Sequence, residues 1–243
     1  ARFGGWADMA YTNAKVRENY SRRFSITYPN EELPAARPVR ISPLYEKLKA
    51  RNAVFGAAYG LEHALWFAPE GEEPLETPTF KRSNAFDTVR DECNAVRNGV
   101  GMIEISTFAK YEVTGPEAEG WISRILSNRM PKTGRIVLSP MLNPDGKLIG
   151  DFTVAKLADE QFYVFGSGIA EDYHMRWFEA HLPETGVSIR SRGLELTGLS
   201  IAGPKARDLL AKVTDADVSK QSMPFMSIKK MGIGTVRAMV ARI

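Results

Sequence analysis

Apolar residues in this chain recur in two rhythms, and the rhythms divide it into elements. Residues 6–20 have helical composition, and Arg17, Arg22 and Arg23 close that stretch with positive charge, as a helix C-terminus prefers. Pro29, Pro34, Pro38 and Pro43 make residues 28–43 an extended connector. Ser42-Pro43 then opens a helix through Leu44 and Leu48. Residues 53–67 mix glycine, alanine and aromatics, and a Pro- and Glu-rich solvated loop follows. Phe86, Val89, Cys93 and Val96 recur at helical spacing behind a Ser83 or Asn84 cap and before Gly99, which predicts an amphipathic helix with that stripe inward. On that stripe Cys93 reads as core rather than nucleophile.

Beyond residue 99 the period shortens. Strands are predicted at 100–105 and 108–114, then a helix opened by Gly115-Pro116 and carrying Trp121, Ile122, Ile125 and Leu126. A hairpin follows, with strands 136–142 and 148–157 joined by Asn143-Pro144-Asp145-Gly146, a strong turn signal. Strand 162–166, helix 170–181, strands near 187–191 and 194–202, a helix from Gly203-Pro204 and a hairpin over 225–243 complete the reading. Val113-Thr114-Gly115-Pro116-Glu117-Ala118 is echoed by Ile201-Ala202-Gly203-Pro204-Lys205-Ala206, which suggests two similar strand–helix units on one sheet system. The expected class is α+β, with mixed or antiparallel sheets and packed helices.

Within the hairpin one carboxylate stands out. On the period-two rule Asp151 shares a strand face with Ile149, Thr153, Ala155 and Leu157, opposite Leu148, Phe152 and Val154, so both faces are expected to be partly buried. A carboxylate there is either satisfied by hydrogen bonds, for instance to a nearby turn, or kept for chemistry.

Composition narrows the chemistry without naming it. Hydrophobic residues make up 44% and charged residues 25% of the 243, ordinary for a globular protein, and the net charge of +3 with scattered Lys and Arg gives no basis for nucleic-acid binding. The single cysteine, Cys93, rules out an intramolecular disulfide and a cysteine cluster, and suits a reducing compartment. The three histidines lack metal-ligand spacing, and His174 and His181 are expected on a helix surface. No apolar run approaches the ~20 residues that span a bilayer. No dinucleotide fingerprint, Walker A loop or nucleophile elbow occurs. Gly166-Ser167-Gly168 could offer N–H groups to an anion or simply make a tight strand-to-helix turn. Tyr59, Trp66 and Phe67 could stack on a planar ring or pack a core, and Glu62 could be partly buried or a surface carboxylate. The chain begins without methionine and stops inside an expected strand, which reads as a piece of a longer polypeptide.

Several segments resemble a known family. Ser42-Pro43-Leu44-Tyr45-Glu46-Lys47, Gly60 with Glu62, Ala95-Val96-Arg97-Asn98-Gly99-Val100-Gly101-Met102-Ile103-Glu104-Ile105-Ser106, Val113 to Ala118, Gly146 to Val154 and Ala202 to Ala206 are similar, in order, to the aminomethyltransferase (glycine-cleavage T-protein) family. Tyr28 to Glu32 and Ala36 to Tyr45 resemble the middle region of flavin-dependent dimethylglycine and sarcosine dehydrogenases. The resemblance implies the end of a flavoenzyme middle region over 1–41 and a T-protein-like tetrahydrofolate-binding domain over 42–243, incomplete at its C-terminus. It implies transfer of an oxidised N-methyl carbon to tetrahydrofolate, giving 5,10-methylenetetrahydrofolate. FAD would be held in an upstream domain of the same polypeptide, and an N-methylated amine would be the substrate. Bacterial cytoplasm or mitochondrial matrix is the implied location.

The position matching Asp151 contacts folate N10 in the family and assists proton removal there. Partial burial would suit an aspartate to that task. Phe108 and Leu138 match pocket positions that often hold methionine and tyrosine, and Leu61 and His63-Ala64 depart from the family pattern. Thr153, Ser167 and Tyr59 complete the expected folate-binding set. A stand-alone aminomethyltransferase and a non-catalytic regulatory relative are the competing readings.

Overall fold

The computed structural model describes residues 8–29 and 31–243, so the expected helix start at residue 6 and Asn30 of the connector lie outside the described residues. Contacts divide the chain into two units, up to Arg97 and from Asn98 onward.

In the first unit, α1 (Met9–Ser21) starts where Asp8 accepts hydrogen bonds from the Ala10 and Tyr11 amides. α2 (Tyr45–Lys49) leads into a hairpin of β1 (Ala53–Ala58) and β2 (Leu61–Phe67). Tyr59 and Gly60 both take positive φ at its tip, as a two-residue type I′ turn requires. The connector is tied to this hairpin by Arg37, whose Nε and Nη2 donate to the Glu62 carboxylate at 2.9 and 2.6 Å while Nη2 also reaches the Phe55 carbonyl at 3.0 Å. Glu62 is therefore a buried, paired carboxylate.

α3 (Ala85–Asn98) forms as expected, but its inward face is rotated by about one residue. Ala85 is buried and Thr88, Glu92 and Val96 are half-buried, whereas Phe86, Val89 and Cys93 are exposed. The row through Glu92 faces the hairpin because the Glu92 carboxylate accepts the Phe67 amide at 3.2 Å. A satisfied backbone N–H thus sets the helix rotation against the apolar stripe, and Cys93 is not core.

The second unit is built on a seven-stranded antiparallel sheet in the order β11-β10-β5-β6-β7-β4-β8. Its strands are β4 (Ala109–Thr114), β5 (Arg135–Leu142), β6 (Leu148–Ala158), β7 (Gln161–Gly166), β8 (Ser188–Ser191), β10 (Ser227–Ile233) and β11 (Val236–Arg242). β3 (Gly101–Glu104) and β9 (Leu199–Ala202) pair separately in a ribbon. α4 (Ala118–Ile125) and α5 (Glu171–Ala180) lie on one sheet face. Tyr111, Val113, Phe152, Val154, Phe162 and Val164 of the strands meet Trp121, Ile122 and Phe178 of these helices in the main core. The opposite face buries Ile136, Ala155, Tyr163 and Ile228.

The Gly-Pro echo is real in backbone terms. Gly115 and Gly203 share a φ near +120° (125° and 117°), and each carbonyl accepts the amide three residues on. The two copies do not share a sheet, however: β4 sits in the seven-stranded sheet and β9 in the ribbon, ahead of α6 (Ala206–Ala211). At Gly115 a Cβ would come within 2.3 Å of the Gly186 carbonyl oxygen, so close backbone packing holds this position to glycine.

Candidate functional site

The Asn143–Gly146 turn closes β5 onto β6 as its sequence dictates. Asn143 Oδ1 accepts the Asp145 and Lys147 amides, and Gly146 takes a φ of +75°. The register then places Pro140 opposite Asp151 and Leu138 opposite Thr153. On the other side Thr153 faces Phe165 of β7, and Phe165 faces Lys110 of β4. Directly opposite residues share a sheet face. Leu138, Thr153, Phe165 and Lys110 are therefore one row across the sheet, with Pro140 and Asp151 in the next row toward the hairpin tip.

This face is closed at one end by the Ile136–Tyr163 cluster and open at the other. Tyr163 and Phe165 stack at 6.1 Å between ring centres and line the passage from closed to open. Leu138 is 63% exposed and Phe108, two residues ahead of Lys110, is 49% exposed. Thr153 and Phe165 are half-buried, and Ser167, just past β7, is exposed. Asp151 is exposed too, not partly buried as its sequence neighbours suggested. The reason is strand length: β7 ends at Gly166 and its pairing with β6 begins only at Thr153, so Asp151 projects past its neighbour. Among the described residues none hydrogen-bonds the Asp151 carboxylate, so it is not a turn-satisfying aspartate.

The loop bearing Phe108 is fixed from three sides. Lys110, 4% exposed, sends its Nζ back to the carbonyls of Ser106 at 2.9 Å, Phe108 at 2.8 Å and Gly193 at 3.2 Å. Burial lowers the Lys110 pKa, while the Glu171 and Glu104 carboxylates pull it the other way. Ser106 Oγ accepts the Gly198 amide at 3.1 Å. Gly168 packs so closely that a Cβ there would sit 1.6 Å from the Thr107 carbonyl oxygen. Gly166-Ser167-Gly168 is thus a close-approach turn into α5, with Gly166 leaving room for the Phe152 ring.

Behind Asp151 lies His174, which the helix pattern assigned to the surface. It is 3% exposed, its Nε2 lies 3.0 Å from the Ile149 carbonyl oxygen, and its ring meets Phe152 edge-on at 4.8 Å. Burial lowers its pKa, against the pull of the Ile149 carbonyl and of Asp151. The missed signal is spacing: His174 lies four residues before Phe178, on the buried stripe of α5. Lys110 gave no such signal: it alternates with apolar Ala109 and Tyr111 and shares its strand face with Glu112 and Thr114, the pattern of an ordinary polar face.

Deeper on the open face, Glu112 accepts from Arg192 Nη1 at 2.6 Å and Gln161 Nε2 at 2.9 Å. Burial raises the Glu112 pKa, but the hydrogen bonds from Arg192, Tyr163 and Gln161 outweigh it and hold the carboxyl low. Burial, with Glu112 beside it, pushes the Tyr163 hydroxyl up to about 12.

Of the residues expected to bind folate, Phe108, Leu138, Asp151, Thr153 and Ser167 belong to the second unit, around the open end of the sheet face. Tyr59 belongs to the first unit, at the tip of the β1–β2 hairpin and 63% exposed. Trp66 is buried with Val54, Ala68 and Ala85, so Tyr59 does not form an aromatic cluster with it. Among the described residues no group of His, Cys, Asp or Glu could hold a metal ion, and no helix is long and apolar enough to cross a membrane.

Comparison with known proteins bears on the family and the fold. Residues 1–42 match the FAD dependent oxidoreductase central domain family. Dimethylglycine dehydrogenase, mitochondrial, of Mus musculus is 32% identical over 245 residues, covering 100% of this chain and 28% of its own length. Pyruvate dehydrogenase phosphatase regulatory subunit, mitochondrial, of Mus musculus is 26% identical over 96% of this chain and 27% of its own. The chain therefore spans under a third of these relatives. The solved aminomethyltransferase T of the glycine cleavage system from Bartonella henselae superposes with a TM-score of 0.64 at 22% identity, over 78% of this chain and 46% of that one, which shows a common fold. Residues 44–243 match the GCVT N-terminal domain family, and to that family this chain belongs.

Proposed function

We propose that this chain is the folate-binding part of a flavin-dependent N-methylamine dehydrogenase, passing the oxidised N-methyl carbon to tetrahydrofolate to give 5,10-methylenetetrahydrofolate. One observation carries the reading: Asp151 is an exposed strand carboxylate with no hydrogen-bond partner among the described residues, and exposed Leu138 and Phe108 lie at the same open end of the sheet face. A planar heteroaromatic ligand with an N–H group suits that combination. Apolar side chains take the ring, and the carboxylate accepts the hydrogen.

Leu138, Phe108 and Phe165 would hold the ligand, with Thr153 and Ser167 as hydroxyl partners. Tetrahydrofolate supplies the nitrogen that takes up the one-carbon unit. Asp151 would orient that N–H and accept its proton as the nitrogen gains its new bond. Glu112 is committed to Arg192 and Gln161, so Asp151 is the carboxylate on this face left to act as base.

FAD belongs to the oxidoreductase part, of which the 1–42 match is the central-domain portion, and that match disfavours a stand-alone aminomethyltransferase. A second reading, a regulatory subunit that kept the fold, has one support: the similarity to the phosphatase regulatory subunit over nearly the whole chain. Bacterial cytoplasm or mitochondrial matrix fits the dehydrogenase reading.

Asp151→Asn in the full-length protein separates the cases. Tetrahydrofolate affinity should stay within about threefold while one-carbon transfer falls by roughly 100-fold or more, the usual weight of a general base. Unchanged transfer in Asp151→Asn would refute the assignment. Absence of saturable tetrahydrofolate binding to the wild type would favour the regulatory reading.

A further inference from the structure

The backbone that carries Asp151 is poorly supported by its own sheet. Met141 pairs with Gly150, but the next β5 residue, Leu142, pairs with Leu148, so Ile149 is an extra residue with no partner on β5. Such a bulge leaves one residue outside the ladder and re-aims its neighbours. The residue opposite Asp151, Pro140, sits at a non-hydrogen-bonded position: its carbonyl turns away from β6 and accepts the Ser127 amide at 2.9 Å, so β5 gives Asp151 no ladder bond. On the other side β7 pairs with β6 only from Thr153 onward. Residues 149–151 thus have ladder support on one side alone, interrupted at Ile149.

His174 fills the gap from behind the sheet. Its Nε2 meets the carbonyl of the extra residue, Ile149, at 3.0 Å. A carbonyl oxygen only accepts, so the proton sits on Nε2 and the tautomer is fixed. Gly150 makes the approach possible, because a Cβ there would stand 2.8 Å from Nε2. The Phe152 ring, seated beneath Gly166, supports the imidazole edge-on. Nδ1 is buried and has no hydrogen-bond partner in the structure. A buried nitrogen with a lone pair and no donor is costly for packing alone. An apolar side chain would fill this core position without that cost.

We infer that His174 is a positioning residue for Asp151: its Nε2–H stands in for the ladder bond missing at Ile149 and sets the direction in which the next strand residues present the carboxylate. This rests on the reading of Asp151 as the proton acceptor. His174 touches no substrate and acts only through the 149–151 backbone.

The test compares His174→Leu, which keeps the volume and removes the donor, with His174→Gln, whose Nε2 can reach the same carbonyl, in the full-length protein. Hydrogen exchange read by mass spectrometry over residues 148–153 should speed up in His174→Leu and return toward wild type in His174→Gln, with other segments unchanged. Single-turnover transfer to tetrahydrofolate should fall by about tenfold or more in His174→Leu, since small misplacements of a reacting group are expensive. Tetrahydrofolate affinity should move less than about threefold, and His174→Gln should recover most of the rate. In the Asp151→Asn background, His174→Leu should cost nothing further, because the group it positions is already gone.

Equal losses in the two backgrounds overturn the inference, as does unchanged exchange over 148–153 in His174→Leu. If Asp151→Asn alone leaves transfer intact, the reading of Asp151 has failed instead. The exchange comparison then still reports whether His174 holds the strand.

Discussion

Replacing Lys110 by methionine tests how the site loop is held. The side chains are similar in length, and methionine keeps much of the apolar stem while removing the ammonium. That ammonium donates to three carbonyls, of Ser106, Phe108 and Gly193, at 2.8–3.2 Å. Hydrogen bonds to charged groups contribute roughly 1.5–3 kcal/mol each, a gross figure of about 5–9 kcal/mol. Taking an ammonium out of water costs several kcal/mol, and the lowered pKa of Lys110 has that same cause. The net loss is therefore well below the gross figure, about 2–3 kcal/mol, mostly from carbonyls left without a donor. For a unit of this size that corresponds to roughly 4–12 °C in melting temperature.

Two of the three carbonyls flank Thr107 in the loop that carries Phe108, so ligand binding should suffer beyond the stability loss. Tetrahydrofolate affinity of folded Lys110→Met is expected to weaken about tenfold, measured by calorimetry well below the melting temperature. A melting shift under about 1 °C, or unaltered affinity despite a large shift, would refute the argument. The first outcome denies that the three bonds matter, the second that they fix Phe108.

Arg37→Met should destabilise the first unit by about 3–5 kcal/mol, since it strands the buried Glu62 carboxylate. Urea denaturation followed by the fluorescence of buried Trp66 reads this, and a loss under 1 kcal/mol would contradict it. Gly168→Ala should push the 106–108 loop aside and lower tetrahydrofolate affinity more than Gly71→Ala, a positive-φ glycine with open space around it. Equal effects would sink the steric account. Acid stability should depend on His174. Its folded pKa lies below the unfolded value, so the unfolded chain binds the extra proton first. The stabilisation is complete above pH ~6.5 and is lost as pH falls below it. His174→Gln should flatten the melting temperature over pH 6.5–5 relative to wild type, and an unchanged slope would argue against the assignment.

Asp151 shows where sequence reasoning is strong and where it stops. The turn chemistry of Asn143 to Gly146 and the period of β6 fixed which face the carboxylate occupies and which residues share it. They could not supply its burial, because that depends on where β7 ends, fifteen residues further on at Gly166 and in another strand. The apolar neighbours Ile149 and Phe152 argued for an enclosed residue, but strand length left it open. The same distinction explains α3. Its helical period was legible, yet its rotation is set by one Glu92–Phe67 hydrogen bond that no periodicity encodes.

Lys110, which was not singled out, and His174, which was placed on a helix surface, share a property that explains both. Each is a buried polar side chain, and each hydrogen-bonds backbone carbonyls rather than side chains: Lys110 three, His174 one. Side-chain pairs leave a trace in sequence as complementary residue types, whereas a carbonyl is present at every position and leaves none. Backbone-directed cations and imidazoles thus have no complementary partner to betray their role in a single sequence, and here they sit where the ladder is broken, at a loop and a bulge. Those breaks are also where this sheet face opens toward Asp151. The parts of the candidate site hardest to read from sequence are therefore the parts that hold it in shape, and the exposed carboxylate proposed as its base is the part that strand periodicity could find.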